Sequence, residues 1–232
     1  METDFPYLDE FSRYTFPSAE KGGDYGIVGV GGNLSPGMLL SAYSQGVFPW
    51  YSEGEPLLWW NPDPRFVLFP EDLHISRSLG RHLRKDPYSY TFDTSFRDVI
   101  EACSRTPRPG QDGTWITPEM IDGYLEIHAL GYAHSLEVWR DSKLVGGLYG
   151  VSLGSMFFGE SMFSLEKNAS KAGLVMLQRA LEPKGFTLID CQVYTDHLAA
   201  MGAVDIQRTE FLDILAFGLK LPTLKGSWSE FI

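Results

Sequence analysis

The feature that most constrains this chain is a run of three strand-forming stretches joined by tight turns. SLEVWR (135–140), KLVGGLYGVS (143–152) and SMFFGESMF (155–163) are rich in β-branched and aromatic residues. Asp141-Ser142 and Leu153-Gly154 supply the turns between them. Strands this close in sequence pair antiparallel, so a meander is predicted. Helix signals bracket it. TSFRDVIEACSR reads as a helix capped at Thr94, and TPEMIDGYLEIHAL as one capped at Thr117 with Pro118 in its first turn. After the meander come a helix over 168–182 and TLIDCQVY, a buried strand. Two short helices follow, around 196–202 and 209–218. This order predicts an α+β domain with a central, mostly antiparallel sheet.

The N-terminal third reads differently. Residues 1–33 are rich in Pro and Gly, and GVGGNLSPG reads as a turn, since it lacks both G-x-G-x-x-G and a Walker lysine. Ser35-Pro36 then opens a helix that stops at Gly46. An aromatic stretch, VFPWYSEGEPLLWWNPDPR, ends in Pro62 and Pro64. A boundary is placed there, giving a small N-terminal domain (1–65) and a larger domain (66–232). FVLF and HISRSLGRHLRK open the second as a strand and a helix.

Composition removes several function classes. The net charge of −11 argues against nonspecific nucleic-acid coating and favours cationic partners. No apolar run approaches the ~20 residues of a membrane span, and METDFPYLDEFSRYTF has no leader character, so a cytoplasmic chain without membrane association is expected. Two cysteines, Cys103 and Cys191, make no disulfide scaffold. None of the five histidines forms a zinc spacing, and no G-x-S-x-G elbow exists, so neither a metal nor a Ser/Cys nucleophile is expected.

Three groups of residues carry chemistry. Asp190 and Gln192 stand two apart in a hydrophobic strand, hence on one face, with Cys191 turned the other way into the core. They read either as a polar pair at a cleft or as a hydrogen-bonded brace. Glu160 adds an acid to an otherwise apolar strand. Arg77, Arg81 and Arg84 fall on one helix face, with Lys85 beside them and no acid in the window 74–85. They read as a docking stripe for phosphates or as a solvated face. Phe48, Trp50, Tyr51, Trp59 and Trp60 crowd one segment, and Trp115 follows the Gly-rich PGQDG. These aromatics read as stacking platforms or as core, with Trp59-Trp60 the core pair.

Several strings in this order carry a resemblance: GVFPWYS, LLWWNPDPR, LHISRS, GTWIT, GYAHSLEVWR, GGLYGV, FGESMFS, NASK and LIDCQV. Together they are similar to leucyl/phenylalanyl-tRNA–protein transferases, over roughly residues 29–217. The resemblance implies a small N-terminal domain plus a GNAT-like (N-acetyltransferase-like) catalytic domain, without metal or organic cofactor. It implies transfer of Leu or Phe, and Met less well, from aminoacyl-tRNA to proteins beginning with Arg or Lys, feeding bacterial N-degron proteolysis. Its partners would be the acceptor arm of the tRNA and those protein N-termini, met by a monomer.

Carried over residue by residue, the resemblance makes Asp190 and Gln192 the catalytic pair and puts Glu160 beside the acceptor. It places Trp50, Trp115, Tyr43 and Tyr124 around the terminal adenosine. Leu148, Phe157, Leu174 and Ile189 would line the pocket for the amino-acid side chain. Leu148 stands where methionine is also expected, a volume-conserving exchange.

This assignment agrees with the chemistry of the residues. The donor ester is already activated and the acceptor is an amine, so direct aminolysis needs no covalent intermediate. An α-amino group with a pKa near ~7.7–8.0 is partly neutral at cytosolic pH. Asp190 is therefore expected to orient and polarise Gln192, whose carbonyl accepts a hydrogen from the amine. A CoA-dependent acetyltransferase would show a glycine pair after the meander, where this chain reads SLEKNASKAG. A peptide-binding module would need Glu160 but neither Gln192 nor the basic stripe.

Overall fold

The computed structural model describes residues 5–21, 26–85, 87–106 and 115–231. The Gly-rich PGQDG segment lies outside these. Among the described residues, ten strands form two sheets. In the small one, β1 (Ile27–Val30) and β2 (Phe48–Pro49) both pair with β3 (Leu58–Trp60). Helix α1 (Pro36–Tyr43) connects β1 to β2 and is buried along its whole length. The GVGG segment is the expected turn: Gly31 and Gly32 have φ values of 83° and 88°, and Gly31 accepts a hydrogen bond from the Trp59 indole.

The large sheet has seven strands. Its members are β4 (Arg65–Leu68), β5 (Ser89–Phe92), β6 (Ala133–Arg140), β7 (Lys143–Leu153), β8 (Met156–Ser164), β9 (Leu188–Gln192) and β10 (Val204–Ile206). Their order is β10-β4-β9-β8-β7-β6-β5. Only β8 and β9 run parallel, so the sheet is mostly antiparallel and the fold is α+β. The predicted meander is β6–β7–β8. The small sheet ends at Trp60 and the large one starts at Arg65, so Arg65 belongs to the large sheet. The short strands β1, β2, β3, β5 and β10 have no counterpart among the elements expected from sequence.

The large sheet is covered on both faces, making three layers. One face packs against α1, α3 (Phe96–Arg105) and α4 (Pro118–Ala129), around Tyr43, Tyr124, Tyr149 and Phe158. The other packs against α5 (Ala169–Leu181) and α2 (Arg77–Leu83), around Leu148, Phe157, Leu174 and Ile189. The first core also holds Phe16, Phe48 and Trp59, so the N-terminal layer and the large sheet share one hydrophobic cluster. Thr117 caps α4 through its side chain, as expected, whereas α3 starts one residue later, after Ser95. Helices α6 (Asp196–Ala199) and α7 (Arg208–Gly218) close the helical part of the chain.

Candidate active site

Three irregularities in the large sheet create the site. The parallel β8–β9 pairing runs only from Met156↔Leu188 to Phe158↔Asp190, and beyond it the two strands part. On β8, Tyr149 pairs with Ser161 and Gly150 with Gly159, so Glu160 is the extra residue of a β-bulge. On β9, Phe66 pairs with Gln192 and Val67 with Asp190, so Cys191 is the extra residue of a second bulge. Bulges re-aim side chains that a regular strand would hold on the wrong side. Here they bring Glu160 and Gln192 together across the gap.

Glu160 is buried and gathers three donors. Its Oε1 accepts from the Tyr43 hydroxyl at 2.7 Å and from Gln192 Nε2 at 2.6 Å, and its Oε2 accepts from the Tyr124 hydroxyl at 2.8 Å. The two tyrosine hydroxyls also lie against each other, and since each carries one hydrogen the two tyrosines supply only two of the three contacts among themselves and Glu160 at a time. Burial pushes the Glu160 carboxyl up to about 7, against the opposing pull of the hydrogen bonds from Tyr43, Tyr124 and Gln192. Burial, together with the adjacent Glu160 charge, holds both tyrosine hydroxyls well above their ordinary value, so both stay protonated donors. The Gln192 amide turns its NH2 toward Glu160 Oε1. The Gln192 carbonyl oxygen then accepts no hydrogen bond among the described residues.

Asp190 is fully buried, and its charge is met by Arg65, the first residue of β4. Arg65 Nε and Nη2 donate to Oδ1 and Oδ2 at 2.8 and 2.6 Å. The guanidinium is itself enclosed, 4.9 Å from the Phe48 ring centre and 4.4 Å from that of Phe211. Asp190 Oδ1 also accepts the Gln192 backbone N–H at 2.9 Å. Gln192 has a φ of 65°, a left-handed conformation that costs a non-glycine residue roughly 1–3 kcal/mol. The bond from Asp190 secures it there. Asp190 thus meets Gln192 through the main chain. With both oxygens held by a guanidinium, it is not poised as a base.

A cleft of about 800 Å³ opens at this point. Gln192, Glu160 and Asp190 lie on it, and so do Trp50 and Trp115 and all four residues expected around the amino-acid side chain, Leu148, Phe157, Leu174 and Ile189. Ile189 reaches the cleft although it points away from Asp190, because the opening passes through the sheet. Cys191 also lines it and is half-buried, so it is not sealed in the core as expected. Burial raises its thiol, which keeps it an inert protonated group. His197 stands at the rim with its Nε2 buried and without a hydrogen-bond partner among the described residues.

Tyr43 and Tyr124 lie behind the cleft. Neither lines the cleft, and both are fully buried beneath Glu160. Arg77, Arg81, Arg84 and Lys85 lie on and just after α2, largely exposed, away from the cleft lining but on the same side of the sheet as its apolar walls. Trp59 is core as expected, whereas Trp60 is half-buried against Trp50. Arg65 is a site residue that sequence reasoning misses. Its one signal is a lone charge entering the apolar FVLF strand directly after Pro64. Among the described residues, no three His, Cys, Asp or Glu side chains converge as metal ligands, and no helix is long and apolar enough to cross a membrane.

Similarity to known proteins fixes the family. Residues 67–216 match the family model described as leucyl/phenylalanyl-tRNA protein transferase, and residues 32–63 match the model for that protein's N-terminal domain. The chain is 57% identical over 214 residues to the leucyl/phenylalanyl-tRNA–protein transferase of Syntrophus aciditrophicus (strain SB), covering 92% of this chain and 90% of the relative. It is 53% identical to the protein of that name from Myxococcus xanthus (strain DK1622), covering 93% and 92%. For the protein of that name from Pseudomonas fluorescens (strain Pf0-1) the identity is 54%, covering 90% and 92%. Among solved structures, a GCN5-related N-acetyltransferase from Kribbella flavida is similar at 11% identity and a TM-score of 0.34, covering 74% of this chain and 61% of that one. The chain belongs to the leucyl/phenylalanyl-tRNA protein transferase family.

Proposed function

We propose that this protein moves leucine or phenylalanine, and methionine less well, from aminoacyl-tRNA to the α-amino group of proteins that begin with Arg or Lys. The products would enter N-degron proteolysis. The observation that carries this reading is the Gln192 amide, fixed by Glu160 at its NH2 so that its carbonyl is left to a substrate, next to an apolar pocket. The amino-acid side chain of the donor enters between Leu148, Phe157, Leu174 and Ile189. Trp50 and Trp115 flank the terminal adenosine. The neutral α-amine of the acceptor, with one N–H donating a hydrogen bond to Gln192 Oε1, attacks the ester carbonyl; the new amide bond forms as the ester C–O bond breaks, and the proton lost by the amine ends on the departing ribose oxygen, which leaves as a hydroxyl. Most of the acceleration comes from holding the two reactants together. Asp190 and Arg65 keep Gln192 in its left-handed conformation, and Glu160, with Tyr43 and Tyr124 behind it, fixes the amide rotamer. Glu160 and Asp196, both on the cleft, are the acids offered to a cationic acceptor. Arg77, Arg81, Arg84 and Lys85 take the phosphates of the acceptor arm.

The test is direct. Purified protein is incubated with labelled leucyl-tRNA and peptides starting with Arg, Lys or Asp. Label should pass to the first two and not to the third. No transfer to any peptide refutes the reading, and equal transfer to all three refutes the acidic acceptor site. In single turnovers with both substrates saturating, Gln192→Ala should be slowed by about two to three orders of magnitude, the range for one oriented polar group at a reacting centre. An unchanged rate rules out the role given to its carbonyl.

A further inference from the structure

The C-terminal tail, residues 219–231, lies beyond the segment matched by the family model, and none of its residues lines the cleft. It is nevertheless well anchored. Gly154 at the β7–β8 turn donates to Thr223 Oγ1 at 2.9 Å, and Gly226 donates to the Gly131 carbonyl at 3.1 Å. Lys225 pairs with Glu10 at 2.7 Å. At its centre Trp228 is 1% exposed and belongs to the core behind the cleft. Its backbone N–H donates to Asp93 Oδ2 at 2.7 Å, and its indole N–H to the Leu224 carbonyl at 3.0 Å. The indole lies flat on His134, ring centres 3.7 Å apart, and Phe231 stacks on it at 4.7 Å. Asp93 Oδ2 also holds His134 Nδ1 at 2.9 Å, so one carboxylate fixes both the tail and the ring it rests on.

Trp228 is also 6.0 Å, centre to centre, from Phe157, a wall of the cleft. The Phe157 ring is confined elsewhere by the backbone of β7: a methyl group on Gly150 would lie 2.7 Å from its Cε1 and Cζ. Phe157 therefore has glycine backbone at one boundary and the indole at another. The geometry points to Trp228 as a positioning residue that sets the depth of the amino-acid pocket by limiting how far Phe157 can retreat. This inference rests on the proposed function. It makes the tail, remote from the reacting atoms, a determinant of which aminoacyl group is accepted.

The experiment compares the native chain with Trp228→Phe and Trp228→Leu, reading kcat/KM for leucyl-, phenylalanyl- and methionyl-tRNA with one Arg-starting peptide. A methylene in an apolar pocket changes discrimination by ~10–200-fold, and a buttress acting through one ring should give a fraction of that. The ratio of phenylalanyl to leucyl transfer is expected to rise by about 3–10-fold in Trp228→Leu and less in Trp228→Phe. The change should lie mainly in KM, with kcat for leucyl transfer nearly unchanged. A simple loss of stability would lower all three donors by the same factor. Trp228→Phe keeps an aromatic ring on His134 and serves if the leucine variant does not fold. The double variant Phe157→Leu/Trp228→Phe should show no further change in the ratio beyond Phe157→Leu alone. Equal ratios in the native and both single variants, or additive effects in the double, overturn the inference. If the native chain transfers nothing from any donor, the proposed function fails instead.

Discussion

At the scale of single residues, the site depends on two buried charges treated in opposite ways. Asp190 is neutralised by a bidentate guanidinium, whereas Glu160 is surrounded only by neutral donors. Removing one partner of a buried ion pair typically costs about 3–5 kcal/mol. Arg65→Ala should therefore lower stability by about that much in denaturant unfolding. Arg65→Lys, which cannot form the two-pronged contact, should retain more stability but lose transfer activity. Glu160 makes a prediction of opposite sense. Its carboxyl rises from an ordinary 4.5 to about 7 on folding, so its ionisation opposes folding. The stability it contributes is fully present below about pH 4.5 and lost as pH rises through about 7. Glu160→Gln should thus gain on the native chain between about pH 5 and pH 8, by up to ~3 kcal/mol, in melting experiments across that range. Asp190, Gln192 and Glu160 are legible in the sequence because polar residues in apolar strands need partners. Arg65 is not, because its partner lies 125 residues away and an arginine after two prolines looks like a surface residue. The contacts of Tyr43 and Tyr124 are hidden for a related reason: a tyrosine in an apolar helix looks the same whether its hydroxyl faces a ligand or a buried acid.

At the scale of elements, helices with caps and strands with turns are readable from sequence, since their signals are local. Thr117 shows this. Its hydroxyl accepts from the Met120 N–H, and Thr117→Ala should cost about 1 kcal/mol in unfolding free energy. The strands that sequence does not reveal are short, and their identity depends on a partner elsewhere: β10 exists because it pairs with β4, and β5 because it pairs with β6. The bulges at Glu160 and Cys191 are equally hidden, because register is a relation between two strands and neither alone records it. Helix α2 is the opposite case, its charge pattern plain from sequence. Reversing Arg77, Arg81 and Arg84 together should leave the melting temperature nearly unchanged, since none of the three is buried. It should weaken aminoacyl-tRNA binding and flatten the logarithmic dependence of affinity on salt by roughly one for each phosphate no longer bound. An unchanged slope would remove the stripe from the binding surface.

At the scale of the whole molecule, the composition break near Pro62 and Pro64 marks where one sheet gives way to another, yet the buried cluster runs across it. Phe16, Phe48 and Trp59 pack in the same core as Val67, Tyr124 and Phe158. One cooperative unfolding transition is therefore expected in calorimetry, with equal calorimetric and van't Hoff enthalpies. Two resolved transitions would mean that the layers fold separately. The distribution of charge works at this scale too. A chain of net −11 that carries a basic helix should hold a polyanion by one patch only.

The bulge on β8 has a consequence for how the chain can vary. Upstream of Glu160, Phe157 faces one core and Phe158 the other; downstream, Met162 and Phe163 do the same, but out of step with strict alternation. Excising that single position would leave Gly159 opposite Gly150 and Ser161 opposite Tyr149 in an unbroken ladder, with Met162 and Phe163 on the sides they already occupy; pairing it regularly instead would send both to the opposite faces. The acid is thus an insertion that the wall itself does not need, and a one-codon deletion there should leave the chain folded while removing the group that holds the Gln192 amide.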